Sequence, residues 1–182
     1  MTFHIETERL ILREIRITDV DGMFELDSNP IVHKYLGNTP IKTKEESVKI
    51  IEFIIKQYKE RGIGRWAAID KVSGDFIGWS GLKLNMKGEE LNGLVNFYDV
   101  GYRFIPRFWG KGYATESAMA SLKYGFEILN LKTIVGAAEQ QNIASNKVLK
   151  KIGLNFCMTF FYDDIPCNWY ELNIKEYGKE MS

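Results

Sequence analysis

The sequence predicts an α/β (α+β) fold in which helices flank a mixed, largely antiparallel sheet, all within a single domain at residues 1–182. Two observations carry this prediction. Stretches that alternate between apolar and polar residues, as strands do, are interspersed with stretches that have the apolar face of a helix. Two strand-like stretches, 65–69 and 76–84, are separated only by the polar segment 70–74, which is typical of a hairpin loop.

The helix with the clearest signals begins at Thr43. Thr43-Lys-Glu-Glu46 is a capping box, in which each of the two end residues accepts the other's backbone N–H. The helix that it opens ends near Gly62 and carries a broad apolar face, which indicates core packing rather than catalysis. Ahead of it, Thr18-Asp19 offers the N-cap of a shorter helix that Asn29-Pro30 breaks.

The remaining segments are assigned by the same signals. Residues 85–93 show neither the hydrophobic repeat of a helix nor that of a strand and are predicted as a loop. Gly153 is predicted to end the last helix. The predicted strands are 9–16, 65–69, 76–84, 94–105, 133–138, 154–162 and 169–174, and the predicted helices are 19–27, 43–62, 114–130 and 144–152.

The composition excludes several classes of function. The 24 basic and 24 acidic residues give a formal net charge of zero, so the chain lacks the basic surface expected of a nucleic-acid-binding domain. No apolar run approaches the roughly 20 residues that a membrane span needs, and the N-terminus lacks the apolar region of a signal peptide. We therefore expect a cytoplasmic protein with no membrane partner. Cys157 and Cys167 have no metal-ligand spacing, which predicts no metal site. The two cysteines could pair with each other, but without an export signal we expect two free, buried thiols.

One stretch, 99–116, has the features of a phosphate-binding loop. Its first half alternates as a strand does, Pro106 ends that strand, glycines follow at 110 and 112, and a helix begins at Ala114. A glycine-bearing turn at a helix N-terminus presents backbone N–H groups to an anion. The run Gly110-Lys-Gly112-Tyr-Ala-Thr115 is neither a GxGxxG dinucleotide motif nor a Walker A loop. On the glycines alone, a plain tight turn is the stronger interpretation.

Three blocks of sequence together resemble the GNAT superfamily of N-acetyltransferases. Arg107-x-x-Gly110-x-Gly112 resembles the acyl-CoA pyrophosphate loop (Q/R)-x-x-G-x-(G/A), and the segment from Asn142 to Leu154 resembles the block N-x-x-S-x-x-V-L-x-K-x-G-F. Thr7-Glu-Arg-Leu-Ile-Leu-Arg13 resembles the opening strand of the ribosomal-protein-alanine N-acetyltransferase branch. The resemblance implies a GNAT-like, seven-stranded sheet with splayed central strands. It also implies acetyl-CoA as co-substrate and an amine acceptor, a protein N-terminus or a small molecule, and it leaves a homodimer open.

The resemblance further implies which residues hold acetyl-CoA. Backbone N–H groups between Phe108 and Tyr113 would bind the pyrophosphate, and the strand before them would pair with the pantetheine arm. Arg107 and Lys111 would add positive charge, with two solvated cations as the alternative. Asn142 matches a family position that touches the cofactor, although it could also cap the following helix. The implied cofactor-binding residues are Phe104, Ile105, Arg107, Phe108, Trp109, Gly110, Lys111, Gly112, Tyr113, Ala114 and Asn142.

Three residues are candidates for proton transfer. Asp99 lies where some family members carry a water-linked glutamate, which implies a general base, with a structural role beside an arginine as the alternative. Glu139 is the second candidate base, with an exposed carboxylate at a strand end as its alternative. Many members carry an acid tyrosine where this chain has Leu149, so the resemblance implies Ser145 as hydrogen-bond donor to the sulfur, with a helix cap as the alternative.

The implied reaction is direct attack of a bound amine on the thioester. No covalent intermediate is expected, because both cysteines lie outside every motif. The segment around His33 would lie over the acceptor cleft, with packing as its alternative role. A second hypothesis, motivated by Leu149, is a catalytically weak acyl-CoA-binding sensor or interaction module, which would bind acetyl-CoA without turnover.

Overall fold

The computed structural model describes residues 3–180 and arranges its strands in one eight-stranded sheet. The strands are β1 (His4–Glu6), β2 (Leu10–Glu14), β3 (Trp66–Asp70), β4 (Phe76–Asn85), β5 (Phe97–Phe104), β6 (Thr133–Glu139), β7 (Asn155–Tyr162) and β8 (Ile165–Asn173). Their order across the sheet is β1-β2-β3-β4-β5-β6-β8-β7, and every neighbouring pair is antiparallel except β5 and β6. The predicted fold class is confirmed, with eight strands in place of seven.

Helices flank this sheet. In the described part of the chain they are α1 (Val20–Asp27), α2 (Pro30–His33), α3 (Lys44–Arg61), α4 (Tyr113–Lys123), α5 (Ile143–Lys151) and α6 (Ile174–Glu180). The capping box at the start of α3 is confirmed, since the Glu46 N–H donates to Thr43 Oγ1 (3.4 Å) and the Thr43 N–H donates to Glu46 Oε2 (2.9 Å). The predicted helix at 114–130 is α-helical only in α4 and continues as a π-helical turn, Tyr124–Ile128.

Each face of the sheet carries its own apolar core, because successive residues of a strand point to opposite faces. On one face, Leu122 of α4 and Leu149 of α5 belong to the main buried cluster with Leu82 of β4. On the other face, Met23 of α1 and Ile51 of α3 are buried in a second cluster with residues of β3.

Element boundaries differ from the prediction at four places. β1 and α6 were not predicted, and both are short, so neither shows enough periods to be recognised. β5 begins at Phe97 rather than at 94, because Leu91 and Leu94 bridge each other in a small turn ahead of it. β8 begins at Ile165 rather than at 169, because Asp163-Asp164, with φ of 46° and 63°, forms a two-residue hairpin turn.

The cysteines do not match the expectation of two buried thiols. Both are free, but Cys157 is exposed and Cys167 is half-buried. The prediction is wrong for Cys157 because β7 lies at the edge of the sheet, where a strand is not covered on all sides. Across residues 3–180, no helix is both long and apolar enough to cross a membrane. The same residues contain no group of three His, Cys, Asp or Glu side chains that could hold a metal ion.

Candidate functional site

β5 and β6 are parallel neighbours that separate soon after they meet. The one pairing recorded between them joins Asp99 to Val135, whereas β5 stays paired with β4 as far as Phe104. Ile105 donates its N–H toward β4 (3.0 Å), and the alternation of the ladder turns the backbone of Tyr102 and Phe104 the other way, toward β6. The predicted splay of the central strands is therefore confirmed, and it opens a wedge-shaped gap beside the end of β5.

The backbone groups at this end of β5 are not all available to a ligand. Ile105 uses its N–H on the Ile77 carbonyl (3.0 Å), and its own carbonyl accepts the N–H of Phe108 (2.9 Å). The Phe104 carbonyl accepts the indole N–H of Trp109 (2.6 Å). Within the predicted segment 102–105, Tyr102 and Phe104 thus present their backbone to the gap, whereas Ile105 does not.

The turn between β5 and α4 has the geometry of an anion-binding loop. Gly110 and Gly112 have φ of 72° and 84°, in the left-handed region that favours glycine. Gly112 is the N-cap of α4, and within residues 3–180 no side chain caps the N–H groups of the first turn. A Cβ on Gly110 would meet nothing within 4 Å, and one on Gly112 would meet only the Arg9 guanidinium at 3.3 Å. The uncapped N–H groups and the helix dipole therefore face open space that an anion can occupy.

A hydrogen-bonded ion pair links the start of β2 to this loop. Glu116, in the first turn of α4, accepts from the Thr7 hydroxyl (2.6 Å), the Arg9 backbone N–H (2.8 Å) and Arg9 Nε (2.7 Å). The same guanidinium donates from Nη1 to the Lys111 carbonyl (2.8 Å) and lies 4.5 Å from the centre of the Tyr113 ring. Burial alone would raise the pKa of Glu116, but the hydrogen bonds from Thr7 and Arg9 hold that pKa below its ordinary value. Arg9 thereby fixes the loop backbone and adds positive charge beside it.

Tyr113 ties the loop to β3. Its hydroxyl donates to Asp70 Oδ2 (2.9 Å), and this hydrogen bond raises the pKa of the Tyr113 phenol. The backbone N–H of Ser73 and this phenol hold the pKa of Asp70 below its ordinary value. Ala114 follows in the first turn of α4, where its carbonyl accepts from the Ser117 hydroxyl (3.3 Å). The loop is therefore held on both sides, by Arg9 and by Asp70.

The two cations predicted for the pyrophosphate border the loop. Arg107 is ion-paired with Glu25 of α1, and both side chains are about half exposed. The Arg107 guanidinium and the Lys111 ammonium lie 4.8 Å and 5.3 Å from the centre of the Phe108 ring. Trp109 is half exposed beside them. Arg107 therefore connects the loop to the helix on the opposite face of the sheet.

The N-terminus of α5 lies across the gap from β5. Asn142 is its N-cap, and the Asn142 Oδ1 accepts the N–H of Ser145 (3.1 Å), so the capping role left open by the sequence is present. The Tyr102 hydroxyl donates to the Ser145 carbonyl (3.1 Å). Burial raises the pKa of the Tyr102 phenol. β5 and the first turn of α5 are thus joined through a phenol.

The carboxylate of Asp99 is engaged on both oxygens. Oδ2 is ion-paired with the Arg65 guanidinium, and Oδ1 accepts from Asn85 Nδ2 (2.8 Å). Arg65 also donates to the carbonyls of Asp99 (2.8 Å) and Gly81 (2.6 Å). A Cβ on Gly101 would lie 2.6 Å from this guanidinium, so a glycine at 101 is what lets Arg65 cross the strand. This is the arrangement expected of the structural role.

Glu139 ends β6 and is half-buried. Its carbonyl accepts from Asn146 Nδ2 (2.8 Å) and from the Asn142 N–H (3.0 Å), which fixes its backbone beside the start of α5. Its carboxylate makes no hydrogen bond or ion pair in residues 3–180, unlike that of Asp99. Asp99 pairs with Val135, and four residues further along the two parallel strands are Arg103 and Glu139. Glu139 therefore lies across the gap from Arg103.

A polar cluster lies beside the same end of β5, on the face away from α4 and α5. Arg103 donates to Asp27 Oδ1 (2.6 Å), and its guanidinium lies 4.9 Å from the centre of the Trp79 ring. His33 Nε2 is 3.8 Å from the same Asp27 oxygen, and neither of the buried ring nitrogens has a hydrogen-bond partner within residues 3–180. Burial, with the charge of Arg103, lowers the pKa of His33, so the imidazole is neutral at pH 7.

The sequence did not single out Arg9, Glu116 or the hydroxyl of Tyr102 as part of the site. The ion pair between Arg9 and Glu116 joins residues 107 positions apart, and no local spacing announces such a contact. A signal was nevertheless present, because Arg9 lies in the segment 7–13 and Glu116 in the stretch 99–116, and both segments contain motifs that resemble the same family. The hydroxyl contact of Tyr102 depends on how far β5 and β6 separate, and the sequence carries no sign of that distance.

Comparisons with known proteins agree with one another. The family model described as "Acetyltransferase (GNAT) domain" matches residues 9–155. "Uncharacterized N-acetyltransferase p20" of Bacillus licheniformis is 34% identical over 146 residues, which cover 80% of this chain and 79% of that protein. "FsC-acetyl coenzyme A-N(2)-transacetylase" of Aspergillus fumigatus is 30% identical over 166 residues, which cover 89% of this chain and 70% of that protein. The crystal structure of spermidine N-acetyltransferase from Vibrio cholerae in complex with CoA and spermine has a TM-score of 0.73 and 21% identity, covering 92% of this chain and 97% of that chain.

Proposed function

Because this chain belongs to the acetyltransferase (GNAT) family and is an N-acetyltransferase, we propose that its donor is acetyl-CoA and its acceptor a primary amine. The observation that carries this proposal is the juxtaposition of an uncapped helix N-terminus with a gap between splayed strands. A ligand that carries phosphate and an amide-containing arm fits this combination, because the phosphate can bind at the helix N-terminus while the arm lies in the gap. Neither the helix N-terminus nor the gap alone would specify such a ligand.

The pyrophosphate of the donor binds at the turn before α4. The N–H groups of Gly110, Lys111, Gly112, Tyr113 and Ala114 are the proposed donors. Each contact to the helix end contributes about 0.3–1 kcal/mol, so several are needed to hold a flexible ligand. Arg9, which donates to the Lys111 carbonyl, adds positive charge beside the loop. Arg107 can contact the pyrophosphate only if its ion pair with Glu25 breaks.

The pantetheine arm lies along the side of β5 that β6 leaves uncovered. Its amides pair with the backbone of Tyr102 and Phe104, as an added strand pairs with a sheet edge. Asn142 lies on the other side of the gap. Its side-chain oxygen caps α5, and its side-chain N–H₂ can donate a hydrogen bond to acetyl-CoA.

The chemical step is direct attack by the neutral amine. Its nitrogen bonds to the thioester carbon, the C–S bond breaks, and CoA leaves as a thiolate. Backbone N–H groups of β5 that face the gap stabilise the oxyanion of the tetrahedral intermediate. The Ser145 hydroxyl is the proposed donor to the sulfur, and Tyr102 positions it by holding its carbonyl.

The proton of the attacking amine goes to Glu139 in this proposal. Its carboxylate has no protein donor in residues 3–180, whereas each oxygen of Asp99 has one. The Glu139 carboxylate can therefore reach a proton without first giving up a partner, whereas that of Asp99 must leave Arg65 or Asn85. Asp99 is the competing candidate, and the two are separated by the effects of their substitutions on kcat/KM and on stability.

The acceptor approaches from the face that carries Trp79, Arg103 and His33. The charges there are paired, since Arg103 faces Asp27 and Arg65 faces Asp99. A cleft with paired charges favours an amine of modest charge over a polycation. An α-amine also suits the chemistry, because with a pKa near 8 exposing its lone pair at pH 7 costs about 1 kcal/mol, against roughly 4 for an alkyl ammonium.

The test is an acetyl-transfer assay that follows CoA thiol release over a panel of a peptide N-terminus, an amino acid and spermidine. Turnover with any of them, lost with propionamide in place of the amine, supports the transferase. Tight acetyl-CoA binding with no turnover across the panel would support the alternative of a catalytically weak acyl-CoA-binding sensor.

A further inference from the structure

Arg103 and Glu139 are oppositely charged residues that stand on opposite sides of the gap between β5 and β6. Arg103 is four residues beyond Asp99 on β5, and Glu139 is four residues beyond Val135, the partner of Asp99, on β6. Within residues 3–180 no ion pair joins the two side chains, and Arg103 pairs instead with Asp27 of α1 (2.6 Å). A cation and an anion therefore border the gap without neutralising each other.

Both side chains lie on the face of the sheet away from α4 and α5. The ring of Phe97 on β5 lies 5.3 Å from that of Trp169, in a cluster that includes the half-buried Cys167. Arg103 lies six residues after Phe97 on the same strand and so shares this face. Glu139 is the register partner of Cys167, and burial, with the charge of Glu139, raises the pKa of the Cys167 thiol. The two charged groups therefore face the same space.

The Arg103 guanidinium has donors to spare. Within residues 3–180 it donates from Nη1 alone, to Asp27 Oδ1 (2.6 Å), and the side chain is 23% exposed. The ring of Trp79, whose centre is 4.9 Å from the guanidinium carbon, supports the group from one side. A guanidinium that is held in this way and keeps Nε and Nη2 free can bind a carboxylate through two parallel hydrogen bonds.

A zwitterion satisfies both charged groups at once. An α-amino acid carries its carboxylate and its amine on one carbon, so the first can lie on Arg103 while the second lies beside Glu139. A polyamine offers nothing to Arg103, and a peptide N-terminus offers only a neutral carbonyl. We propose that the acceptor is a free α-amino acid, with its carboxylate on Arg103 and its amine beside Glu139, an inference that rests on the proposed function.

The surface next to Glu139 indicates which amino acids fit. Ala137, Cys167 and Phe97 are half-buried side chains on this face, and all three pack on the buried cluster that contains Trp169. An apolar side chain gains from contact with such a surface, whereas a charged one gains nothing there. The acceptor is therefore expected to be an amino acid with an apolar side chain.

The first test compares amino acids with their own α-amides, which keep the amine and lose the carboxylate charge. CoA thiol release is measured with leucine, methionine and phenylalanine, with their amides, and with spermidine and a peptide. The unaltered protein is expected to show a kcat/KM about tenfold or more higher for an acid than for its amide, since a charge-assisted pair of hydrogen bonds is lost with the amide.

Two other results have different meanings. Turnover of the amides, the peptide or spermidine at least as fast as that of the acids would overturn this inference and leave the transferase standing. Turnover of none of these amines would contradict the proposed function, and this inference with it.

The second test changes Arg103 without leaving a buried charge unpaired. In Arg103→Gln with Asp27→Asn, the ratio of kcat/KM for acid to that for amide should fall about tenfold or more. The different basicities of the two amines cancel, because both acceptors are given to both proteins. Arg103→Lys keeps a charge beside Asp27 but lacks the planar fork, so it should retain only part of the ratio. A purely structural role would lower both rates together, and an unchanged ratio would overturn the proposal.

The matched control is Arg13→Gln with Asp19→Asn. Arg13 on β2 is 19% exposed and is paired with the buried Asp19 (2.7 Å), much as Arg103 is paired with Asp27. This variant should lose thermal stability and keep the ratio of acid to amide near its original value. An equal fall of the ratio in the control would mean that loss of any such ion pair changes the discrimination, which would contradict a carboxylate site at Arg103.

Discussion

Arg9 is the residue on which the geometry of the anion loop depends. It donates to Glu116 and to the Lys111 carbonyl at once, and this pair of contacts requires the planar fork of a guanidinium. We predict that Arg9→Met raises the KM for acetyl-CoA about tenfold or more, from the loss of a charge-assisted hydrogen bond, while kcat changes less. Arg9→Lys should recover only part of the affinity.

The matched control for Arg9 is Arg61. It is also paired with a glutamate, Glu89, but its ion pair fixes the loop after β4. Arg61→Met should lower thermal stability and leave the KM for acetyl-CoA near its original value. An equal rise of KM in the two variants would mean that Arg9 acts through overall stability alone.

Glu116 gives a pH-dependent prediction. Its pKa lies below the ordinary value in the folded protein, so its contribution to stability is present at neutral pH and is lost as the pH falls through the folded pKa. The melting temperature of Glu116→Gln should therefore be lower than that of the unaltered protein at pH 7. The difference should begin to shrink as the pH falls through the ordinary glutamate value of about 4.3, and it should vanish only below the folded pKa, where the glutamate is protonated in both states. A difference that is constant with pH would contradict the role of the charge.

Asp99 and Glu139 separate by what each substitution damages. Glu139→Gln should lower kcat/KM by about 10²-fold or more and leave the melting temperature near its original value, as loss of a general base does. Asp99→Asn should instead lower the melting temperature, because the half-buried Arg65 is left without its partner charge, at a cost of about 1–3 kcal/mol. If Asp99→Asn lowers kcat/KM this much with an unchanged melting temperature and Glu139→Gln does not, the assignment is reversed.

Among the elements, the first turn of α5 is where structural and functional roles overlap. Asn142 caps the helix through Oδ1, and its amide nitrogen is available to the donor. We predict that Asn142→Ala lowers stability by about 1 kcal/mol and also raises the KM for acetyl-CoA. Asn142→Ser should restore stability, since serine is a good N-cap, but it should leave KM high. Recovery of both by serine would show that the cap is the whole role of Asn142.

Elements with several periods of pattern were predictable from sequence, and elements defined by contacts were not. The Thr43 capping box predicted α3, and the polar residues at 70–74 predicted the hairpin loop between β3 and β4. β1 has only three residues, and its place at the sheet edge follows from pairing with β2. The early start of β8 follows from two aspartates at positive φ, which no hydrophobic pattern encodes.

For the molecule as a whole, the motifs named the segments of the candidate site but not the state of its side chains. The tight glycine turn and the cap at Asn142 could be predicted because both depend on residues close in sequence. A role for Asp99 beside an arginine was one of two alternatives, and the sequence could not name Arg65, because its guanidinium reaches across β5 at Gly101. Ion pairs between residues on different strands depend on the fold. The sequence could therefore name Asp99 and Glu139 as candidate bases, but it could not say which carboxylate has no hydrogen-bond donor.

Calorimetric titration with acetyl-CoA tests most directly the proposed binding of this donor at the turn between β5 and α4. The unaltered protein should bind acetyl-CoA but not NAD, and Gly112→Trp should abolish binding by filling the space before the N–H groups. Gly88→Trp is the matched control, since Gly88 has a similar φ of 89° in an exposed loop, and it should bind normally. Absence of binding by the unaltered protein, or full binding by Gly112→Trp, would contradict the account.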